Sequence, residues 1–318
     1  MNKYSSAIDV PVLLIFFNRP QILKYTFERI REARPSILFL YQDGMREEKK
    51  DKESVQACRD IVSNIDWECV VYRKYQKKNF GCDPSEYIAQ KWAFSIVDKC
   101  IVLEDDDVAD VSFFRFCKEM LDLYENDTRI CRISGMNHLG IYDCNESYFF
   151  TTSGSIWGWA SWKRVIDKWD TDYTFLDNDK EMRRLKDYCK SIYVNFYSFI
   201  STCKWHKSTD KEYYESIFYS YRLLNSGLTI VPAKNLISNI GLTADSTHAT
   251  SNIKRLPKGI QRVFGMATYS LDFPLAHPKY IVNDLNYVKK VNKIMGISLP
   301  RQIYRKIEGV IRRIVFKE

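Results

Sequence analysis

Apolar and polar positions follow two alternating patterns through the first hundred residues. Positions 11–17 are an unbroken apolar run, the mark of a strand buried on both faces. Pro20 then opens a stretch, 21–33, that reads as a helix. A second strand is predicted over 36–41 and ends at the turn signal Gln42-Asp43-Gly44. A charged helix follows over 47–64, a third strand over 68–72, a helix over 84–98 and a fourth strand over 100–103. This βαβαβαβ order predicts a mostly parallel sheet covered by helices. The middle, about 110–226, reads as irregular and aromatic-rich, with Trp157-Gly158-Trp159 and Trp162 standing out. A helix over 213–225 and a strand over 228–231 follow, then a polar loop over 235–250. Pro257-Lys258-Gly259 marks a boundary before a tail.

Composition narrows the class. The 318 residues are 45% hydrophobic and 28% charged, which excludes bulk disorder, and 12 Gly with 9 Pro exclude collagen-like repeats. No apolar run approaches the roughly 20 residues that a bilayer span requires. With no signal pattern at its start, the chain is expected in the cytoplasm. Its 9 cysteines are widely spaced with no C-x-x-C, so reduced thiols are expected rather than a zinc site or disulfides. The net charge of +8 is uneven: residues 289–318 hold nine Lys and Arg against two Glu, or +7. Within that tail, Ile303, Ile307, Val310, Ile311, Ile314 and Val315 recur at helical spacing, flanked by Arg301, Arg305, Arg312 and Arg313. A basic amphipathic helix suited to an anionic membrane surface is expected, peripheral at the inner face of the cell membrane. The plainer alternative is a helix packed on the domain with a solvated basic face. No nucleic-acid reader motif accompanies the charge.

Candidate chemistry begins with Glu104-Asp105-Asp106-Asp107, directly after the fourth strand. Ligands of open α/β sheets bind at the carboxyl ends of strands. Adjacent carboxylates raise one another's pKa, and a hard cation such as Mg²⁺ or Mn²⁺ relieves that repulsion. The alternative is a solvated acidic turn before a helix that starts near Asp110.

Together with that cluster, Asn18-Arg19-Pro20, Gln42-Asp43-Gly44 and Asn79-Phe80-Gly81-Cys82 resemble the nucleotide-sugar half of GT-A-fold glycosyltransferases. The similarity is to N-acetylglucosaminyltransferases with a Glu-Asp-Asp motif and to bacterial sugar transferases of surface-polysaccharide pathways. Trp157-Gly158-Trp159, 227–232, 235–241 and Thr247-His248 extend it over roughly 10–280. The resemblance implies a Rossmann-like α/β nucleotide-diphospho-sugar transferase sheet over 1–256, with a donor half over about 1–110 and an acceptor half over 111–256. Residues 257–318 form the C-terminal extension. It implies a metal on Asp106, with His248 completing the shell or bonding the diphosphate, and sugar or ribose contacts from Glu104 and Asp105. Phe17, Asn18, Arg19, Asp43 and Asn79 would hold the nucleotide; Asp43 could accept from a uracil N3–H, which favours a UDP-sugar. The extra Asp107 leaves the ligand register open between Asp106 and Asp107.

Sugar transfer with inversion, itself implied by the family, needs a carboxylate to take the acceptor's proton. The family position falls on Glu215, after Tyr214, with Asp210 and Glu212 as neighbouring alternatives. The three tryptophans are either core or a platform for a sugar face. The resulting expectation is a metal-dependent hexosyl- or N-acetylhexosaminyltransferase, acting from a nucleotide-sugar onto a glycan or lipid-linked glycan in surface-polysaccharide synthesis. A sugar nucleotidyltransferase or a non-catalytic membrane-associated scaffold are the competing readings.

Overall fold

The computed structural model describes residues 3–47, 51–242, 253–296 and 299–315. Strands β1 (Ile8–Phe16), β2 (Pro35–Gln42), β3 (Val70–Tyr75) and β4 (Lys99–Glu104) alternate with helices α1 (Pro20–Ala33), α2 (Lys52–Ser63) and α3 (Cys82–Phe94). The strands pair in parallel, in the order β3-β2-β1-β4. In the centre, Leu13 lies opposite Phe39 on one side and Val102 on the other. α1 shows why such helices form where they do. Pro20 starts it with φ already set, and Leu23, Phe27 and Ile30 fall on one buried face. Arg34, left-handed at φ 48°, ends it by donating its N–H to the Ile30 carbonyl.

Two helices begin elsewhere than the sequence pattern suggests. α2 starts at Lys52 rather than 47, because the Arg46 side chain and backbone N–H both bind Asp51, just before the first turn. α3 starts at Cys82 rather than 84, after Gly81 at φ 86°. Pro84 is accommodated in its first turn, where no intrahelical N–H bond is needed.

The second half contains β5 (Asp107–Ala109), α4 (Ser112–Leu123), β6 (Ile130–Ser134), β7 (Tyr148–Thr151), β8 (Trp159–Trp162), α5 (Lys163–Ile166), α6 (Asp179–Ser191), α7 (Phe196–Lys207), α8 (Tyr214–Leu224), β9 (Leu228–Pro232) and β10 (Ile237–Asn239). The expectation of an irregular middle is therefore corrected. β6, β7 and β8 hold four or five residues each, all buried, so neither alternation nor length betrays them in the sequence. They extend one eight-stranded sheet, β3-β2-β1-β4-β8-β6-β9-β7, in which β8 runs antiparallel to both β4 and β6. Trp159 and Trp162 belong to its core.

The chain then returns over the sheet as α9 (Lys258–Gln261), α10 (Leu285–Met295) and α11 (Leu299–Val315). Val263, Leu271 and Leu275 enter the core, and Asp284 N–H bonds the Phe150 carbonyl (2.8 Å), which covers the β7 edge. At the opposite edge, β3 presents Arg73 and Lys74, charges that discourage pairing with another chain. All nine cysteines are free thiols. Among the described residues no helix is long and apolar enough to cross a membrane.

Leu103, wholly buried on β4 beside Leu14 of β1, tests this core. Leu103→Ala is expected to cost about 2–5 kcal/mol, read as a lower urea midpoint at unchanged m-value.

Candidate active site

The turn after β4 is made of carboxylates, and they go to different places. Asp107 points into the protein and is fully buried. Its Oδ2 accepts from the backbone N–H groups of Gly158 (2.9 Å) and Glu104 (3.2 Å), and its Oδ1 from Asn239 Nδ2 (3.2 Å). Burial, and then the charge of Asp106, push its pKa up to about 8. Asp106 accepts from Asn239 Nδ2 (2.8 Å) and Arg19 Nη2 (2.8 Å). Asp105 takes Arg19 Nε (3.2 Å) and Nη2, together with the Phe17 N–H. Burial raises the Asp105 pKa to about 6, against the opposing effect of Arg19.

Backbone geometry sets this arrangement. Arg19 caps the start of α1 at the end of β1, and β4 is the parallel neighbour of β1. The guanidinium therefore spans the carboxyl ends of two adjacent strands, where ligands of open α/β sheets bind. Burial alone would lower the Arg19 pKa, but Asp105 and Asp106 outweigh it and raise it. Asn239 lies opposite Asp107 in the β5–β10 ladder, so one amide reaches both Asp106 and Asp107. A Cβ on Gly241 would overlap the Asp106 carboxylate, which is why the chain there needs glycine.

Beside this cluster lies a second group. Glu104 ends β4, and no described residue donates a hydrogen bond to its carboxylate. Glu86, buried on α3, accepts from the Cys82 S–H (3.2 Å). Both pKa values are raised first by burial, then by the charge of Glu215 at Glu86, and by the charges of Glu86, Asp107, Asp106 and Glu215 at Glu104. Glu215 is exposed on the first turn of α8. The preceding Tyr214 is buried, stacked parallel to Trp159 with ring centroids 6.4 Å apart. Among the described residues its hydroxyl has no hydrogen-bond partner, and it lies in the field of Glu86, Glu104 and Glu215. Of the alternatives to Glu215, Glu212 acts instead on Tyr87, and Asp210 is exposed at φ 52°.

The residues expected to hold a nucleotide lie along the ends of β1 and β2. Asp43 is buried, and its oxygens accept from the N–H groups of Gly44 (2.9 Å), Phe80 (3.0 Å) and Gly81 (3.0 Å). Burial raises its pKa in spite of these donors. Asn79 Nδ2 bonds the Gly44 carbonyl (2.7 Å), so Asp43 and Asn79 together lock the 79–81 loop onto β2. Asn18 Nδ2 bonds Asp51 (2.9 Å), and Arg46 lies 5.2 Å above the Phe17 ring. The Arg46 guanidinium holds the Asp51 pKa down at about 2, despite the opposing effect of burial. Trp157 is half-buried against Phe264 (5.0 Å), at the margin of the core that holds Trp159 and Trp162. His248 lies outside the described residues.

An all-oxygen donor set suits a hard cation. Here the Arg19 guanidinium joins Asp105 to Asp106, and Asp107 accepts from backbone N–H groups. Among the described residues no three His, Cys, Asp or Glu side chains are spaced to hold an ion.

Sequence reasoning missed Glu86, Arg46 and Asp51. Glu86 had a signal: with Ala89 or Gln90 and Ala93 it shares one helical face, which places an acid on the buried side of α3. Arg46 and Asp51 had none, since both read as members of a charged run.

No family model and no curated protein matches the chain. Among solved structures, it is similar to the glycosyltransferase GlyE of Streptococcus pneumoniae TIGR4, with 10% identity, a TM-score of 0.36, and coverage of 71% of this chain. The chain spans 45% of that structure's length.

Asp105 and Asp107 keep protons in the folded state that an unfolded aspartate releases near 3.8. Between that value and about 6 or 8, the folded chain binds more protons than the unfolded one, so their contribution makes stability fall as pH rises. Urea midpoints measured across this window are expected to decline toward its upper end.

Proposed function

We propose that this chain transfers a sugar from a nucleotide-sugar, a UDP-sugar in the first instance, to a hydroxyl of a glycan or lipid-linked glycan. One observation carries the reading. Glu215, a carboxylate open to solvent, shares the field of Glu104 at the carboxyl end of the parallel strands, and Arg19 lies at that same end. The motif resemblance over roughly 10–280 points the same way.

In this reading the nucleotide lies along Phe17, Asn18 and the Asn79 loop, within reach of Arg46. The sugar faces Glu104, Glu86 and the Tyr214 hydroxyl, three polar groups that a polyhydroxylated ligand can satisfy. Glu215 accepts the proton of the acceptor hydroxyl as its oxygen attacks the anomeric carbon. The bond from that carbon to the diphosphate oxygen breaks, and the nucleoside diphosphate leaves with the electron pair. Arg19, with side-chain exposure of 17%, supplies positive charge at that end of the site. Displacement from the opposite face gives inversion. Hexosyl or N-acetylhexosaminyl specificity, an acceptor in surface-polysaccharide synthesis, and a Mg²⁺ or Mn²⁺ requirement belong to the reading as proposals. No step above passes through a metal.

Thermal melting against a panel of nucleotides and nucleotide-sugars, with Mn²⁺ and with EDTA, tests it. A stabilising shift is expected with UDP or one UDP-sugar. A shift abolished by EDTA would bring the metal into the site. Glu215→Gln is expected to keep the donor shift and lose roughly 10²–10⁴ in turnover. No nucleotide shift, or full turnover in Glu215→Gln, would sink the proposal.

A further inference from the structure

Helix α11 packs the wrong way round for a soluble helix. Its polar residues hold it to the body. Arg305 donates to the Ile294 and Met295 carbonyls at the end of α10. Glu308 accepts from Lys258 N–H (3.1 Å) and from Arg312 Nε (2.7 Å), and Arg312 Nη1 donates to the Lys254 carbonyl (3.0 Å). A Cβ on Gly259 or Gly296 would overlap the Arg305 guanidinium, so the backbone around this polar seam is built close to it.

The described apolar side chains of α11 face outward. Tyr304, Ile307, Val310, Ile311 and Val315 are each more than half exposed. They form a stripe from Tyr304 to Val315, about 17 Å at a rise of about 1.5 Å per residue. A shallow groove of about 380 Å³ runs between this stripe and Lys258. A contiguous exposed apolar stripe marks an interaction surface.

Charge selects the occupant. Residues 289–318 carry +7, and Lys289, Lys290 and Lys293 of α10 are exposed. A second copy on this face would bring two such segments together, at a cost in repulsion. An anionic lipid surface offers both an apolar phase and the opposite charge. No described helix is long and apolar enough to cross the bilayer.

We propose that α11 docks this protein onto an anionic lipid bilayer, lying in the plane of the interface with the Tyr304–Ile307–Ile311–Val315 stripe toward the acyl chains. The inference stands on the orientation and charge of the helix, independently of the sugar-transfer reading.

Sedimentation of the full chain with vesicles tests it. One set is phosphatidylcholine alone; the other is equal parts phosphatidylcholine and phosphatidylglycerol. Binding is expected to the anionic set only, and to weaken with salt. The double variant Ile307→Glu with Ile311→Glu alters exposed side chains, so its melting temperature should hold while binding falls by more than about tenfold. Three results would overturn the proposal. One is no binding to anionic vesicles. Another is binding that the double variant leaves unchanged. The third is a concentration-dependent dimer, dispersed by that variant, that replaces vesicle binding.

Discussion

Like charges held close together repel, and this fold gathers Glu86, Glu104, Asp105, Asp106, Asp107 and Glu215 around the end of one strand. Much else in the structure answers that constraint. α1 begins where Arg19 can reach across two strand ends. β10 pairs with β5 in the register that sets one amide, from Asn239, against two carboxylates. The β8 side contributes the Gly158 N–H, donated from a left-handed conformation at φ 59°. Burial shifts Glu86 and Glu104 toward their protonated forms. What survives this neutralisation is the arc of Glu104, Glu86, Tyr214 and Glu215, in which the Tyr214 hydroxyl finds no hydrogen-bond partner among the described residues.

The alternating first hundred residues were legible because each strand there is long enough to show an apolar run and each helix long enough to show a face. The acidic turn was legible for the same reason, since it directly follows such a run. β6, β7 and β8 were not: four or five buried residues leave no period to read. Within the site, the family resemblance pointed to Glu215 at the start of the helix that is α8, but it could not say which way a side chain turns. Asp43 reads as an open turn residue, yet the structure buries it under three backbone N–H groups. Arg19 is expected to hold the nucleotide, and the sequence does not show that it also bridges Asp105 and Asp106. Apart from the neighbouring Gly44, these partners are distant in sequence, and no local pattern encodes them.

The tail shows the same lesson from the other side. Its apolar spacing was plain, but amphipathicity names two faces without saying which one meets the body. That choice is made by Arg305, Glu308 and Arg312, whose partners lie on α10, on Lys258 and on Lys254. Polar groups that bind backbone carbonyls and N–H groups hold the helix in one orientation, which apolar packing of a narrow stripe would do less specifically.

The antiparallel insertion of β8 has a consequence for how the chain is made. The block β3-β2-β1-β4 is complete once residue 104 has been synthesised. Its outer strand, with Ile101, Val102 and Leu103, acquires its lateral partner only when 159–162 has followed. Until then a nascent chain carries an open, apolar sheet edge, the kind of edge that recruits strands from other molecules. Ribosome pausing or slow folding between these two points is therefore the interval in which this protein is most exposed to aggregation, and the one in which a chaperone would matter most.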